Sequence, residues 1–404
     1  MVSSRSRGAR LFVHRFALAL SALALAAVWP ISATRAQTFQ TTAPIAALVD
    51  FETGAVLFEK NASEAMAPGA TVKLMTAEVV FHEIEGGRLH LDDTFEVSEN
   101  SWRNGGAHSH GTATFLDIHS RVRVEDLLRG LIVQSGNDAA MTLAEGIAGT
   151  EDNFANLMNK RAGELGLSHS TFANPRGTKS DPRQKTTAHD MAQLAAHIIR
   201  DDAAFYHYFG EKEFTWNKIR QLNRDPLLSM DLGADGLMIE DTPEGGFGLV
   251  GSAIQSDQRL IVVVNGLKNA ADRAEEARKL LNWGFRSFDP RVIFQPGDTV
   301  GTASVYGGAQ SEVPLVCEAP IKVFLTRGAQ ERLTAKIVYI GPLVAPVAAG
   351  VEVARLNVWR GSTLALDAPL KTKEAVALGG LSTRAFDAGI ELAVNLIRKS
   401  FTRN

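Results

Sequence analysis

Gln134-Ser135-Gly136-Asn137-Asp138 sits between two apolar stretches. A Ser-x-Asn turn placed there can present a hydroxyl and a carboxamide together into a cleft. The plainer reading is a loop serine that caps the following helix. His108, His110 and His119 lie in or just after a Gly-rich stretch, with His90 and Asp92 upstream. His108-x-His110 has a spacing that can ligate zinc. No third ligand falls at a convincing distance, so a solvated loop is expected, with no metal and no cofactor. Asn104-Gly105-Gly106-Ala107 is followed by no Gly-Lys-Ser/Thr and is not a phosphate loop. Arg273, in Ala271-Asp-Arg-Ala-Glu-Glu, reads on its own as a helix-surface ion pair with Asp272 or Glu276.

The elements that must position these groups are visible in the periodicity. Two apolar runs around Glu52-Thr-Gly predict a hairpin over 45–59. A 3.6-residue pattern through Leu74, Ala77, Val80 and Phe81 predicts a helix from Thr71 to Ile84. Val124 to Gly146 reads as two helices around the Ser-x-Asn turn. Ser170 to Pro182 reads as a loop containing Pro175 and Gly177, and a further helix runs from Thr187 to Ile199. Phe247–Ala253 and Arg259–Gly266 read as strands, and Ala271–Phe285 as an amphipathic helix. Beyond Asp289-Pro290 the chain turns into short β-branched runs separated by Gly and Pro, the pattern of a small all-β domain.

The ends are different in kind. Arg5, Arg7, Arg10 and Arg15 precede a 13-residue apolar run, Phe16 to Val28, and small residues lead to Ala36. This is the pattern of a secretory signal peptide, too short in its apolar part to span a bilayer comfortably. An uncleaved N-terminal anchor is the alternative. Removing residues 1–36 takes away five arginines and no acid, and leaves a net charge of −8. At the other end, Phe386, Ile390, Ala393, Val394, Ile397 and Phe401 share one helical face, with polar residues opposite and Arg398, Lys399 and Arg403 at the end. Such a helix can lie on an anionic membrane surface or pack on its own β-domain. The expected organisation is therefore 1–36 signal peptide, 37–288 main domain, 289–375 β-domain and 376–404 tail helix.

Composition bounds the remaining classes. The 404 residues suggest two or three domains, and 45% hydrophobic with 22% charged residues is globular rather than disordered. A formal net charge of −3 excludes a basic nucleic-acid binder as the default reading. Cys317 is the only cysteine, so no intramolecular disulfide forms, and its apolar surroundings predict a buried, inert thiol.

Three segments together carry a resemblance: Val124 to Glu145, Glu211 to Arg224, and Lys279-Leu-Leu-Asn-Trp-Gly-Phe285. With them the chain resembles the low-molecular-mass penicillin-binding proteins that are serine-type D-alanyl-D-alanine carboxypeptidases. The resemblance runs from about residue 42 to the C-terminus. It implies an α/β fold of the penicillin-binding/β-lactamase type, an antiparallel sheet flanked by helices, followed by a small all-β domain and an amphipathic tail. It implies export to the periplasm, action on peptidoglycan stem peptides, and acylation by β-lactams. Partners so implied are peptidoglycan or a cell-wall protein, and the inner-membrane surface through the tail.

The same resemblance locates the chemistry in Ser-x-x-Lys, Ser-x-Asn and Lys-Thr-Gly motifs. The first should fall at Ala70-Thr71-Val72-Lys73, where Lys73 is present and Ala70 stands in place of the nucleophile. Ser135 and Asn137 keep the second, a proton-relay serine and a substrate-binding amide. The third should follow Asp235-Gly236-Leu237, and Met238-Ile239-Glu240 stands there. Arg273 matches an arginine that helps to hold the substrate carboxylate. No lysine in the chain has a serine three residues before it, and no Lys-Thr-Gly occurs. Without a hydroxyl at position 70 the serine acyl-enzyme reaction is expected to be lost. Thr71 is adjacent but points about 100° away on a helix. A working enzyme using another nucleophile, or a water activated by Lys73, is the competing reading. Lys73 lacks its serine partner and is expected to turn to Ser135, Asn137 or Glu240.

Overall fold

The computed structural model describes residues 39–177, 181–243, 245–327, 333–361 and 363–381. The signal-peptide reading and the tail helix beyond residue 381 lie outside them.

A five-stranded antiparallel sheet forms the centre. Its order is Val56–Lys60, Ile45–Asp50, Gln258–Leu267, Phe247–Gln255 and Ala234–Glu240. The middle strand contains Leu260-Ile-Val-Val-Val264, buried on both faces, as a strand sandwiched between two layers requires. On one face the helix Lys73–Glu85 runs through the core. Its first nine residues, Lys73 to Phe81, are all buried, so it is apolar all round rather than striped. Helices Val124–Val133, Asn137–Ala148, Glu151–Glu164 and Ala188–Arg200 surround it. Thr150 and Thr187 cap two of these by accepting the N–H of Asn153 and Asp190.

On the other face lies helix Ala270–Ser287, capped by Asn269. The chain then enters β-structure directly at Phe288. A six-stranded sheet (Leu333–Tyr339, Glu352–Arg360, Thr363–Thr372, Glu312–Val316, Thr299–Tyr306, Leu343–Val344) and the pair Phe288–Phe294 with Ile321–Thr326 make up this region. Leu48, Leu260, Leu280 and Leu281 share one continuous apolar core with Phe288, Val323, Phe324, Leu356 and Val358. Phe39, Phe58, Trp283 and Phe288 join across it, with ring centroids of neighbouring pairs 5.0–5.9 Å apart. Cys317 is buried, as expected, and burial raises its thiol pKa. Among the described residues no helix is long and apolar enough to cross a membrane.

Candidate active site

Gly69–Val72 is a tight 3₁₀ turn that feeds the Lys73–Glu85 helix. Ala70 on this turn is 3% exposed and Lys73 is fully buried. The Thr71 hydroxyl donates to the Pro68 carbonyl at 2.5 Å. It is committed to closing the turn and is not a free nucleophile. Lys73 Nζ donates to the Arg176 carbonyl at 2.8 Å, and Thr76 Oγ1 to the Pro175 carbonyl at 2.7 Å. The expected turn of Lys73 toward Ser135 or Asn137 is therefore not found; the 174–177 loop takes its ammonium instead. Burial pushes the Lys73 pKa down to about 7, with Glu240 pulling the other way.

That loop approaches very closely. Gly177 has φ +76°, and a Cβ on it would lie 1.8 Å from the Gly69 carbonyl oxygen. Asn174 Oδ1 accepts from the N–H of Gly177 at 2.7 Å and holds the bend. Gly177→Ala is expected to cost about 2 kcal/mol or more through left-handed strain and this clash. Urea unfolding of the variant against the natural chain measures it.

Ser135 and Asn137 meet as the sequence suggests, at the junction of helices Val124–Val133 and Asn137–Ala148. Ser135 has φ +58°, a conformation costly for a non-glycine residue. Thr112 holds it there, its hydroxyl donating to the Ser135 carbonyl at 2.5 Å and its carbonyl accepting from Asn137 N–H at 2.9 Å. Asp138 fastens the same turn by accepting from the N–H groups of Thr114, Leu116 and Ala139. The helix cap is Gly136, and the Ser135 hydroxyl caps nothing. Ser135 Oγ and Asn137 Oδ1 are buried with no hydrogen-bond partner among the described residues. The strained geometry of a working turn is kept, while its hydroxyl faces no base.

Met238, Ile239 and Glu240 end the edge strand Ala234–Glu240, each no more than 3% exposed. Met238 packs into the helical core and Ile239 into the core on the opposite face. Glu240 turns its carboxylate back over the 3₁₀ turn. Oε1 accepts from Thr242 N–H at 2.6 Å and from the Thr242 hydroxyl. A Cβ on Gly69 would lie 1.9 Å from Glu240 Oε2, so the carboxylate fills the space beside Ala70. Burial raises its pKa to about 7, against the pull of Thr242, of Lys73 and of the nearby Ala70 N–H. A backbone N–H at such a helix start is the kind of donor that stabilises an oxyanion. Here a buried carboxylate lies close to it, its Oε2 without a hydrogen-bond partner among the described residues. Lys73 and Glu240 attract each other, but their charged atoms do not come within the 4 Å of an ion pair; the pairing anticipated from sequence is an attraction at longer range.

Arg273 corrects another reading. It is 6% exposed, and its Nη1 donates to the Glu240 carbonyl at 3.2 Å. Its guanidinium lies 5.9 Å from the centre of the Phe247 ring, and burial lowers its pKa. The surface ion pair does not form, because Asp272 is engaged by Asn269 and Glu276 by Thr41, Thr42 and Lys279. Sequence reasoning missed the Arg176 carbonyl, Thr242 and the Gly69–Gly177 contact; the only signal was a Pro-Arg-Gly turn in a loop.

The histidines of the Gly-rich stretch do not converge. His108 packs on Trp102, His119 pairs with Glu96 at 3.2 Å, and His90 with Asp93 at 3.3 Å.

Residues 32–269 match the family model described as D-alanyl-D-alanine carboxypeptidase, and residues 288–378 match that of the penicillin-binding protein 5 C-terminal domain. The chain is 38% identical over 343 residues to the D-alanyl-D-alanine carboxypeptidase DacC of Escherichia coli, covering 84% of this chain and 86% of that one. It is similar to the crystal structure of penicillin-binding protein 5 from Haemophilus influenzae, with a TM-score of 0.71 and 35% identity, over 84% of this chain and 98% of that one. Penicillin-binding protein 6B from Escherichia coli gives a TM-score of 0.64 at 32% identity, over 83% and 97%. With its antiparallel sheet, Ser-x-Asn turn and buried lysine, the chain belongs to the D-alanyl-D-alanine carboxypeptidase family of peptidoglycan metabolism, the low-molecular-mass penicillin-binding proteins.

Proposed function

We propose that this chain is a non-hydrolysing member of its family, which acts by binding peptidoglycan or a cell-wall protein partner. The observation that supports this most is the Glu240 carboxylate seated beside Gly69 and Ala70. One substitution removes the nucleophile, and the other fills the space a substrate carbonyl would need. Lys73, held near neutrality by burial, has the pKa of a general base but no serine to deprotonate. Met238 removes the positive charge that a free C-terminal carboxylate would meet, and Glu240 adds a negative one; each change is worth about 3 kcal/mol at ~5 Å and an effective dielectric of ~20. The signal-like N-terminal sequence supports a periplasmic location, and the amphipathic pattern of the tail supports association with the inner-membrane surface.

Intact mass after incubation with excess benzylpenicillin tests the first half. No adduct is expected, and a stoichiometric adduct sinks the proposal, with peptide mapping to name the nucleophile. Sedimentation with purified peptidoglycan tests binding to the wall. Loss of membrane association on truncation after Gly380 tests the tail.

A further inference from the structure

Away from the degenerate site, Glu78, His197 and Asp202 offer ligand atoms that all lie within 4.8 Å of one another. They come from three places in the chain: the Lys73–Glu85 helix, the Ala188–Arg200 helix, and the turn that follows it. We propose that these three side chains form a zinc site, with one position open to water, that clamps the central helix to the Ala188–Arg200 helix.

The surroundings have the features of such a site. His197 Nδ1 is 2.7 Å from Asp201 Oδ2. A carboxylate on one ring nitrogen fixes the tautomer and turns the lone pair of the other inward, the arrangement that ligating histidines show. His197 Nε2 then stands 3.5 Å from Glu78 Oε1 and 3.9 Å from Asp202 Oδ2. A tetrahedral zinc with bonds of about 2.0–2.1 Å sets its ligand atoms about 3.3 Å apart, so only small movements close the shell. Arg161 Nε holds Glu78 Oε1 at 2.6 Å, as an outer group steadies a ligating carboxylate. Glu78 Oε2 and Asp202 Oδ2 remain buried with no hydrogen-bond partner among the described residues. Glu78 is 0% and Asp202 1% exposed, so neither finds that partner in bulk water.

Charge points the same way. Glu78, Asp201 and Asp202 lie around His197, while Arg161 serves Glu78 together with Glu164 at 3.1 Å. A buried carboxylate oxygen with no partner, as at Glu78 and Asp202, takes up a proton or a cation. Arg161 Nη2 lies 3.3 Å from His197 Nε2 and must yield that position; its bonds to Glu78 and Glu164 stay available to it. A surface cavity of about 570 Å³ borders His197 and Asp201. Three protein ligands leave the fourth position to a water.

Titration of Zn²⁺ alone into the chelator-stripped protein, followed by calorimetry, tests this. One ion per chain is expected, and Zn²⁺ should raise the melting temperature. His197→Ala and Glu78→Gln should abolish both effects. Asp201 is half exposed, so Asp201→Asn is expected to fold normally and to weaken binding about 10–100-fold. A His108→Ala, His110→Ala double variant should bind as the natural chain does. Absence of saturable binding overturns the proposal and assigns the cluster to Arg161 and bound protons. Undiminished binding in both His197→Ala and Asp201→Asn overturns it as well, by placing the ion elsewhere.

Discussion

Ala70→Ser alone is expected to remain unlabelled by benzylpenicillin. Restoring the hydroxyl returns an Oγ to the 3₁₀ turn, three residues before Lys73, but it does not move Glu240. The carboxylate still fills the space beside Gly69, and the Ala70 N–H still helps to balance its charge. A β-lactam carbonyl therefore has no room, and its carboxylate meets one negative charge without the lysine that should attract it. Adding Glu240→Gly empties the space. Adding Met238→Lys and Ile239→Thr rebuilds the cationic strand. The fourfold variant should acylate at least about a million-fold faster than the natural chain, the scale of losing a serine nucleophile. A time course of intact mass reads all three proteins. If Ala70→Ser alone labels as fast as the fourfold variant, the carboxylate is no obstacle and the account of the closed site is wrong.

Glu240→Gln should stabilise the protein at pH 8 by about 3 kcal/mol and hardly at all at pH 4. The folded-state pKa of Glu240 is raised from 4.5 to about 7. Below pH 4.5 the carboxyl is protonated in both states and contributes nothing. Between 4.5 and about 7 the unfolded chain ionises first, so stability falls as pH rises, and above 7 the loss is complete. Lys73 does the reverse. Its pKa is depressed from 10.5 to about 7, so stability falls as pH drops from 10.5 and the loss is complete below 7. The pair thus gives the natural chain a stability minimum near neutrality. Glutamine keeps the acceptor for Thr242 and removes the acid limb only. Urea unfolding at pH 4, 6 and 8 measures the difference; a variant less stable than the natural chain at pH 8 refutes the buried-charge account.

The elements that build this site were legible because burial imprints a period. The Leu74–Ala77–Val80–Phe81 spacing, the Glu52-Thr-Gly hairpin and the paired strands 247–266 all stand where the pattern puts them. The losses at Ala70 and across Met238-Ile239-Glu240 were legible as departures from a motif. Their consequence was not, because it depends on a side chain from the sheet edge reaching a turn distant in sequence. Nothing local announces that Glu240 lies against Gly69, or that Gly177 is pressed onto the same carbonyl. For Arg273 only the ion-pair alternative fails, for a related reason: its neighbours Asp272 and Glu276 are charged, yet it lies on the face that packs under the Glu240 strand. The Glu78–His197–Asp202 cluster was hidden likewise, since its members are spread over three helical segments and only the fold makes them neighbours.

The core that runs from Leu48 and Leu281 into Val323 and Val358 bears on cooperativity. Arg360 Nη1 reaches the Leu57 carbonyl at 3.3 Å, and Lys322 pairs with Glu52 at 2.6 Å, so polar contacts cross the same seam. A chain cut at Ser287 would lose the apolar partners that Phe288, Val323, Phe324 and Val358 supply to this core. The change of architecture at Phe288 is thus crossed by both apolar and polar contacts. Heat should melt both parts in a single calorimetric transition, and the region beyond 288 contributes to keeping the protein folded.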